Sequence, residues 1–344
     1  MKMVFCTLFD SNYLDKGLVC YESLENVCND FVFFVLPMDK KCTDVLKDIN
    51  YSKLKIIDYE QFEDNELKAV KRERGRAEFC WTCTAKLIDY VLSKYDEDIC
   101  TYIDADLYFY RNPEVLIKEM LNDGKSVQII KHNFPTAKRE IGEKGAGTYC
   151  VEFNTFLKKD DAFKVLKKWE SDCINECSYG INNEVLGDQK YLNNWPDEYG
   201  CINVSTNQGA GVAPWNVNKF KFFKNEKEYI IRDLETNEKY NMVFFHFQNI
   251  QFIEKNIIRC CWTSSRNYRV LKSLYTDYLV QIIEKKQMLD RKYGIKSLIK
   301  VHPADEGKEI INSEKKTLKE IVLILGGRIK RVIGINNELI VNVK

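Results

Sequence analysis

Short apolar runs alternate with stretches in which apolar residues recur every three or four positions through the first hundred residues. MVFCTLF (3–9), FVFFVLP (31–37) and LKIIDY (54–59) read as strands, with GLVCYESLENV (17–27) and CTDVLKDI (42–49) as the helices between them. This order predicts an α/β fold with parallel strands. RAEFCWTCTAKLIDYVLSKY (76–95) follows, with Leu87, Val91 and Tyr95 beside Ile88 and Leu92 in one helical stripe. It runs straight into ICTYIDAD (99–106), a strand that ends on two acids. Ligands of open parallel sheets gather at the carboxyl ends of strands, so these acids stand where a site is expected.

Beyond them the pattern becomes mixed. SVQIIK (126–131), YCVEFNTFL (149–157), GCINVS (200–205) and MVFFHF (242–247) read as strands. DDAFKVLKKWESDCINEC (160–177) reads as a helix with Phe163, Leu166, Trp169 and Cys173 on one side, and EVLGDQKYLNNW (184–195) as a short helix. GEKGAGTY (142–149) is predicted to be a loop, since its glycine spacing is not that of a dinucleotide-binding turn. NYRVLKSLYTDYLVQIIEKKQMLDRKY (267–293) predicts a long amphipathic helix. The expected organisation is a domain over 1–255, a helical extension packed on it over 256–294, and a tail over 295–344. In the tail a short apolar run meets Lys319, Arg328, Lys330 and Arg331, which suits docking on the core, pairing with another subunit or a peripheral contact with an anionic membrane surface.

Composition narrows the class. Of 344 residues, 52 are Lys or Arg and 51 Asp or Glu, so no overall field draws the chain to nucleic acid. The amino-terminal apolar run is interrupted by Asp10 too early for a secretory signal, and no stretch reaches membrane-spanning length, which predicts a cytoplasmic protein. The 13 cysteines are scattered and odd in number, as expected of reduced thiols used as small hydrophobes. Cys80 and Cys83 have a zinc-like spacing but no second pair to match it.

A carboxylate at a buried strand end is costly unless a cation or strong donors face it. Asp104 and Asp106, with Ala105 between them, can approach one ion, and two hard oxygen ligands suit Mg2+ or Mn2+ carrying a diphosphate. A solvated turn explains a bare D-x-D equally well. A dehalogenase-like phosphatase would want a small residue or Thr soon after, where Leu107 and Tyr108 stand, and a calcium loop lacks its glycine and closing glutamate.

Other segments favour a third reading. VFCTLFDSNYL (4–14), WTCTAKLIDYVLSKYDEDICTYIDADLYFYRNP (81–113), GTYCVEFNTFL (147–157), GDQKYLNNWPDEYGCINVSTNQGAGVAPWNV (187–217) and FFHF (244–247) occur in an order that resembles the family 8-like bacterial glycosyltransferases and related nucleotide-diphospho-sugar transferases. GDQKYLNNWP with GAGVAPWN is the most specific pair, and the tail carries no such support. The resemblance implies a GT-A fold, a Rossmann-like mixed sheet flanked by helices with a helical carboxy-terminal extension. It implies metal ligation by Asp104, Asp106 and His246, and an imidazole beside two carboxylates favours Mn2+ over Mg2+. It further implies nucleotide contacts from Thr7, Asp10 and Tyr13, a basic position at Lys86 facing the nucleotide, and Asp188 and Gln189 beside the donor sugar. Glu152, Asn154, Gly209, Gly211 and Trp215 would line the sugar or acceptor pocket.

The expected function is metal-dependent hexosyl transfer from a nucleoside diphosphate sugar, a UDP-sugar first, to a cell-surface polysaccharide or lipid-linked glycan acceptor, with retention of configuration. Inversion would need a carboxylate base, for which Asp188 and Glu152 are the candidates. A sugar-1-phosphate nucleotidyltransferase would carry a Gly-rich basic loop that CTLFDSNYLDKG lacks. A non-catalytic glycan- or nucleotide-sugar-binding protein of a synthesis complex is the alternative from another class.

Overall fold

The computed structural model describes residues 1–178, 187–226, 228–254, 257–296 and 337–343. Its main sheet is built from β1 (Met3–Phe9), β2 (Phe31–Pro37), β3 (Leu54–Ile56), β4 (Ile99–Ile103), β6 (Val127–Lys131), β7 (Tyr149–Leu157) and β8 (Ile202–Val204), while β5 (Leu107–Phe109) stands outside it. The order is β3-β2-β1-β4-β7-β6-β8. β1, β2, β3 and β4 run parallel, β7 runs antiparallel to both its neighbours, and β6 is parallel to β8. The expected mixed α/β sheet flanked by helices is therefore present. Every residue of β1 and β2 is buried, which is why their apolar runs are continuous rather than alternating.

The helices are α1 (Leu14–Val27), α2 (Lys40–Ile49), α3 (Tyr59–Phe62), α4 (Asn65–Lys71), α5 (Arg76–Lys94), α6 (Glu114–Asn122), α7 (Arg139–Ala146), α8 (Asp160–Asn175), α9 (Trp195–Glu198) and α10 (Tyr268–Tyr293). α5 starts at Gly75, whose N–H donates to the Glu78 carboxylate (2.8 Å), and its expected stripe of Leu87, Ile88, Val91 and Leu92 is buried. It packs against β1, β4 and α8, so the residues that lead into D-x-D sit on the main core. Trp169 of α8 is fully buried there, and its indole N–H donates to the carbonyl of Asp188 (2.8 Å).

A second core lies around α10. It gathers Val212, Phe220, Phe222, Ile231, Phe245, Phe247 and Ile258 with Leu271, Leu274, Tyr275, Tyr278 and Leu279 of the helix. Its strands are β9 (Phe220–Asn225), β10 (Glu228–Asp233) and β11 (Lys239–Asn241) in one antiparallel sheet, β12 (Phe244–His246) paired with β5, and β13 (Gln251–Glu254), β14 (Ile257–Thr263) and β15 (Asn337–Asn342) in another. Residues 256–294 thus include β14 ahead of the predicted helix. Of the tail, 337–342 docks as β15 on β14, with Leu339 and Val341 buried, while the basic stretch at 319–331 lies outside the described residues.

Two local expectations are corrected. The segment read as a loop around Gly142 and Gly145 is helix α7, which buries none of its residues and so shows no apolar stripe; it ends at Gly147, φ +95°. The helix expected at 184–195 is, in its described part, a 3-10 turn over Lys190–Asn194 followed by α9.

Candidate functional site

The metal-candidate residues converge from two segments, the β4–β5 link and β12. Asp104 and Asp106 follow β4, and the Asp104 N–H donates to the Glu152 carbonyl of β7 (3.1 Å). β12 runs antiparallel to β5 with His246 opposite Leu107, and the N–H of Phe247 donates to the Asp106 carbonyl (2.9 Å). His246 Nε2 consequently lies 3.0 Å from Asp106 Oδ1 and 3.7 Å from Asp104 Oδ2. One ligand atom from each of Asp104, Asp106 and His246 falls within a 4.8 Å group, which is a geometry able to hold a divalent ion.

The ionisable groups of this cluster shift one another's protonation. Burial pushes the Asp104 carboxyl up to about 6, the charges of Asp106 and Glu152 add to the rise, and His246 opposes it. Burial also acts on Asp106, but the charge and hydrogen bond of His246, with Lys16 beyond, bring it down to about 2. Burial alone would lower His246; Asp106, together with hydrogen bonds to Cys150 and Glu152, holds it well above the usual histidine range.

A cavity of about 330 Å3 opens beside the cluster. Asp104, His246, Asp188, Gln189 and Trp215 line it, so five of the expected residues meet there. Asp188 follows Gly187, whose φ is +56° and whose Cα faces the Trp81 ring so closely that a Cβ would lie 2.8 Å from Cε3. Burial raises the Asp188 carboxyl to about 7 against a hydrogen bond from Thr84, and the charge of Asp104 adds to the rise. Trp215 is held by its indole N–H on the His132 carbonyl (2.8 Å) and meets His246 edge to face at 5.4 Å.

Other expected residues are placed elsewhere. Thr7 is wholly buried in β1 with no hydrogen-bond partner for its hydroxyl among the described residues. Asp10 is paired with Arg76, which also reaches Asp39 (3.2 Å), and the Tyr13 ring carries Lys16 Nζ at 3.6 Å. Lys86 is bound by Asp64 of the α4 cap and by Glu170 of α8 (3.1 Å), so both its neighbours are structural acids. Glu152 and Asn154 are completely buried in β7, outside the cavity lining. A Cβ on Gly209 would come 2.0 Å from the Asn241 carbonyl oxygen, and one on Gly211 would meet Ile130 (2.8 Å) and Glu152 Oε1 (2.9 Å). Both glycines thus serve close packing within the protein.

Sequence reading passed over His132, Phe134 and Trp81, which also line the cavity. His132 and Phe134 stack with ring centroids 5.1 Å apart, and burial lowers the His132 imidazole to about 4. Trp81 opened a segment weighed for its helical stripe, its cysteines, Lys86 and its family resemblance, and its own side chain was given no role. The lone aromatic residues just past β6 carried no pattern that could have exposed the other two.

Fold and site together define a mixed α/β protein with a strand-end cavity where two carboxylates and an imidazole converge. No model of a known protein family matches the chain. It is 26% identical over 295 residues to the uncharacterized protein YfnD of Bacillus subtilis (strain 168), covering 81% of this chain and 88% of that one. To the uncharacterized protein YfnF of the same organism it is 25% identical over 302 residues, covering 86% and 97%. Among solved structures, mouse xyloside xylosyltransferase 1 in its apo form is 14% identical, with a TM-score of 0.42 over 60% of this chain and 85% of that chain. The galactosyltransferase LgtC, solved with donor and acceptor sugar analogues, is 17% identical with a TM-score of 0.42 over 62% and 76%. No described helix is long and apolar enough to cross a membrane.

Proposed function

We propose that the protein is a GT-A type glycosyltransferase that moves a sugar from a nucleoside diphosphate sugar, a UDP-sugar first, to a glycan or lipid-linked acceptor in cell-surface polysaccharide synthesis. The observation that carries this reading is the convergence of Asp104, Asp106 and His246 into one ligand group beside a cavity lined by Asp104, His246, Asp188, Gln189 and Trp215. Asp104, Asp106 and His246 would hold Mn2+ or Mg2+, and the imidazole nitrogen in the donor set favours Mn2+. When bound, the ion acts as a Lewis acid that neutralises the charge of the departing diphosphate.

The chain's own residues do the remaining work. A carboxyl raised to about 7 lets Asp188 either accept or donate a hydrogen bond to a sugar hydroxyl near neutral pH. Gln189 stands next to it on the cavity wall with an amide that both donates and accepts. Trp215, fixed through its indole N–H, offers an apolar edge for a pyranose ring. Of the two carboxylates weighed as a base for inversion, Glu152 is buried outside the cavity lining and Asp188 lines the cavity, so Asp188 is the remaining base candidate and the retaining outcome rests on the family resemblance alone.

The test is nucleoside diphosphate release from UDP-, GDP- and CDP-sugars with Mn2+, Mg2+ or EDTA, using wild type and Asp106→Asn. Metal-dependent release from one donor is expected, lost in EDTA and reduced by at least about 100-fold in the variant, the scale of removing a principal electrostatic contact. With a glycan acceptor, NMR of the anomeric proton should show retained configuration. Absence of turnover with every donor would retire the reading.

A further inference from the structure

Glu152 has no exposed surface, and it lies on β7 outside the cavity lining. A carboxylate in such a place is expensive to bury without a strong partner. Its partner is His246: Glu152 Oε2 lies 2.6 Å from Nδ1, on the opposite side of the ring from the Nε2 that approaches Asp106 and Asp104. A carboxylate oxygen can only accept, which assigns the Nδ1 proton to this bond. The space for the carboxylate is made by Gly211, where any Cβ would stand 2.9 Å from Glu152 Oε1.

We propose that Glu152 is a positioning residue for the metal site: by accepting the Nδ1 proton of His246 it locks the ring so that the Nε2 lone pair is the one presented to the ion between Asp104 and Asp106. The proposal rests on the metal-binding half of the function proposed above and is independent of glycosyl transfer. Imidazole ligands are commonly oriented by a carboxylate on their other nitrogen, and loss of that partner weakens metal affinity about 10- to 100-fold. His246 sits at the end of a three-residue strand, where Glu152 is the carboxylate on Nδ1 while Asp106 and Asp104 face Nε2 and Trp215 packs edge to face with the ring.

The test titrates metal-free full-length protein with Mn2+, reading free Mn2+ by EPR, for wild type, Glu152→Gln, His246→Asn and the double variant. Glu152→Gln should bind Mn2+ about 10- to 100-fold more weakly, and the double variant no more weakly than His246→Asn alone. A purely structural role for Glu152 would instead add its own loss in the His246→Asn background, and that additivity would overturn the proposal. So would Mn2+ affinity within about threefold of wild type in a folded Glu152→Gln, or failure of wild type to bind Mn2+ at all. Should Glu152→Gln not fold, ENDOR of Mn2+-loaded wild type carrying histidine labelled with 15N at Nε2 decides. Direct coupling to the labelled nitrogen is expected, and coordination through Nδ1 overturns the assignment. Donor turnover without any dependence of Mn2+ affinity on Glu152 would leave the transferase reading standing and remove this one. Glu152-dependent Mn2+ binding without turnover would do the reverse.

Discussion

His132 illustrates how a single side chain couples the cavity to stability. Burial holds its imidazole down to about 4, whereas in an unfolded chain it titrates near 6.5. Between those values the unfolded state binds more protons, so the stability is fully present above about pH 6.5 and is lost as the pH falls towards about 4, by roughly 3 kcal/mol. His132→Gln should flatten that limb when urea unfolding is compared at pH 7.5, 5.5 and 4; an unchanged slope would assign the acid sensitivity to other groups. At this scale the sequence was informative where residue chemistry alone decides. His246 entered only through the family resemblance, whereas two acids at a strand end were legible because a carboxylate is costly to bury unless something faces it. Lys86 was not: a basic side chain on a helix has the same local signature whether it faces a nucleotide or, as here, Asp64 and Glu170.

Elements were legible in proportion to their amphipathic pattern. The strand read at 149–157 has those bounds in the structure, and the helix read at 267–293 is present over Tyr268–Tyr293, because long periodic segments carry their own signal. β15 gave none by itself, since a six-residue segment becomes a strand only through its partner. Its pairing sets Val341 opposite Ile258 and Leu339 opposite Cys261, and both Leu339 and Val341 are fully buried. Ending the chain at residue 336 should therefore cost roughly 1.5–3 kcal/mol for each of these two side chains and leave the edge of β14 unpaired. Comparison of urea melts for residues 1–336 and the full chain checks this. Equal stability, with loss only of vesicle binding, would point to a surface role for the segment.

For the whole molecule, metal and fold should be linked by mass action. An ion held by Asp104, Asp106 and His246 joins the end of β4 to β12, and so the main core to the second, whose Phe245 and Phe247 flank the histidine. Mn2+ at about a hundred times its dissociation constant should stabilise wild type by about 2.7 kcal/mol. Thermal melts with Mn2+ and with EDTA would read the difference, which Asp106→Asn should abolish. The sequence by itself determined the alternation of strands and helices and the chemistry available at one strand end, because periodicity and the cost of burying charge belong to contiguous residues. Tertiary structure alone decided that β7 runs antiparallel between β4 and β6, that Gly209 and Gly211 serve internal packing, and that Glu152 stands behind a histidine 94 residues away. Those outcomes depend on strand order and on partners distant in the chain, and a local pattern carries no record of either.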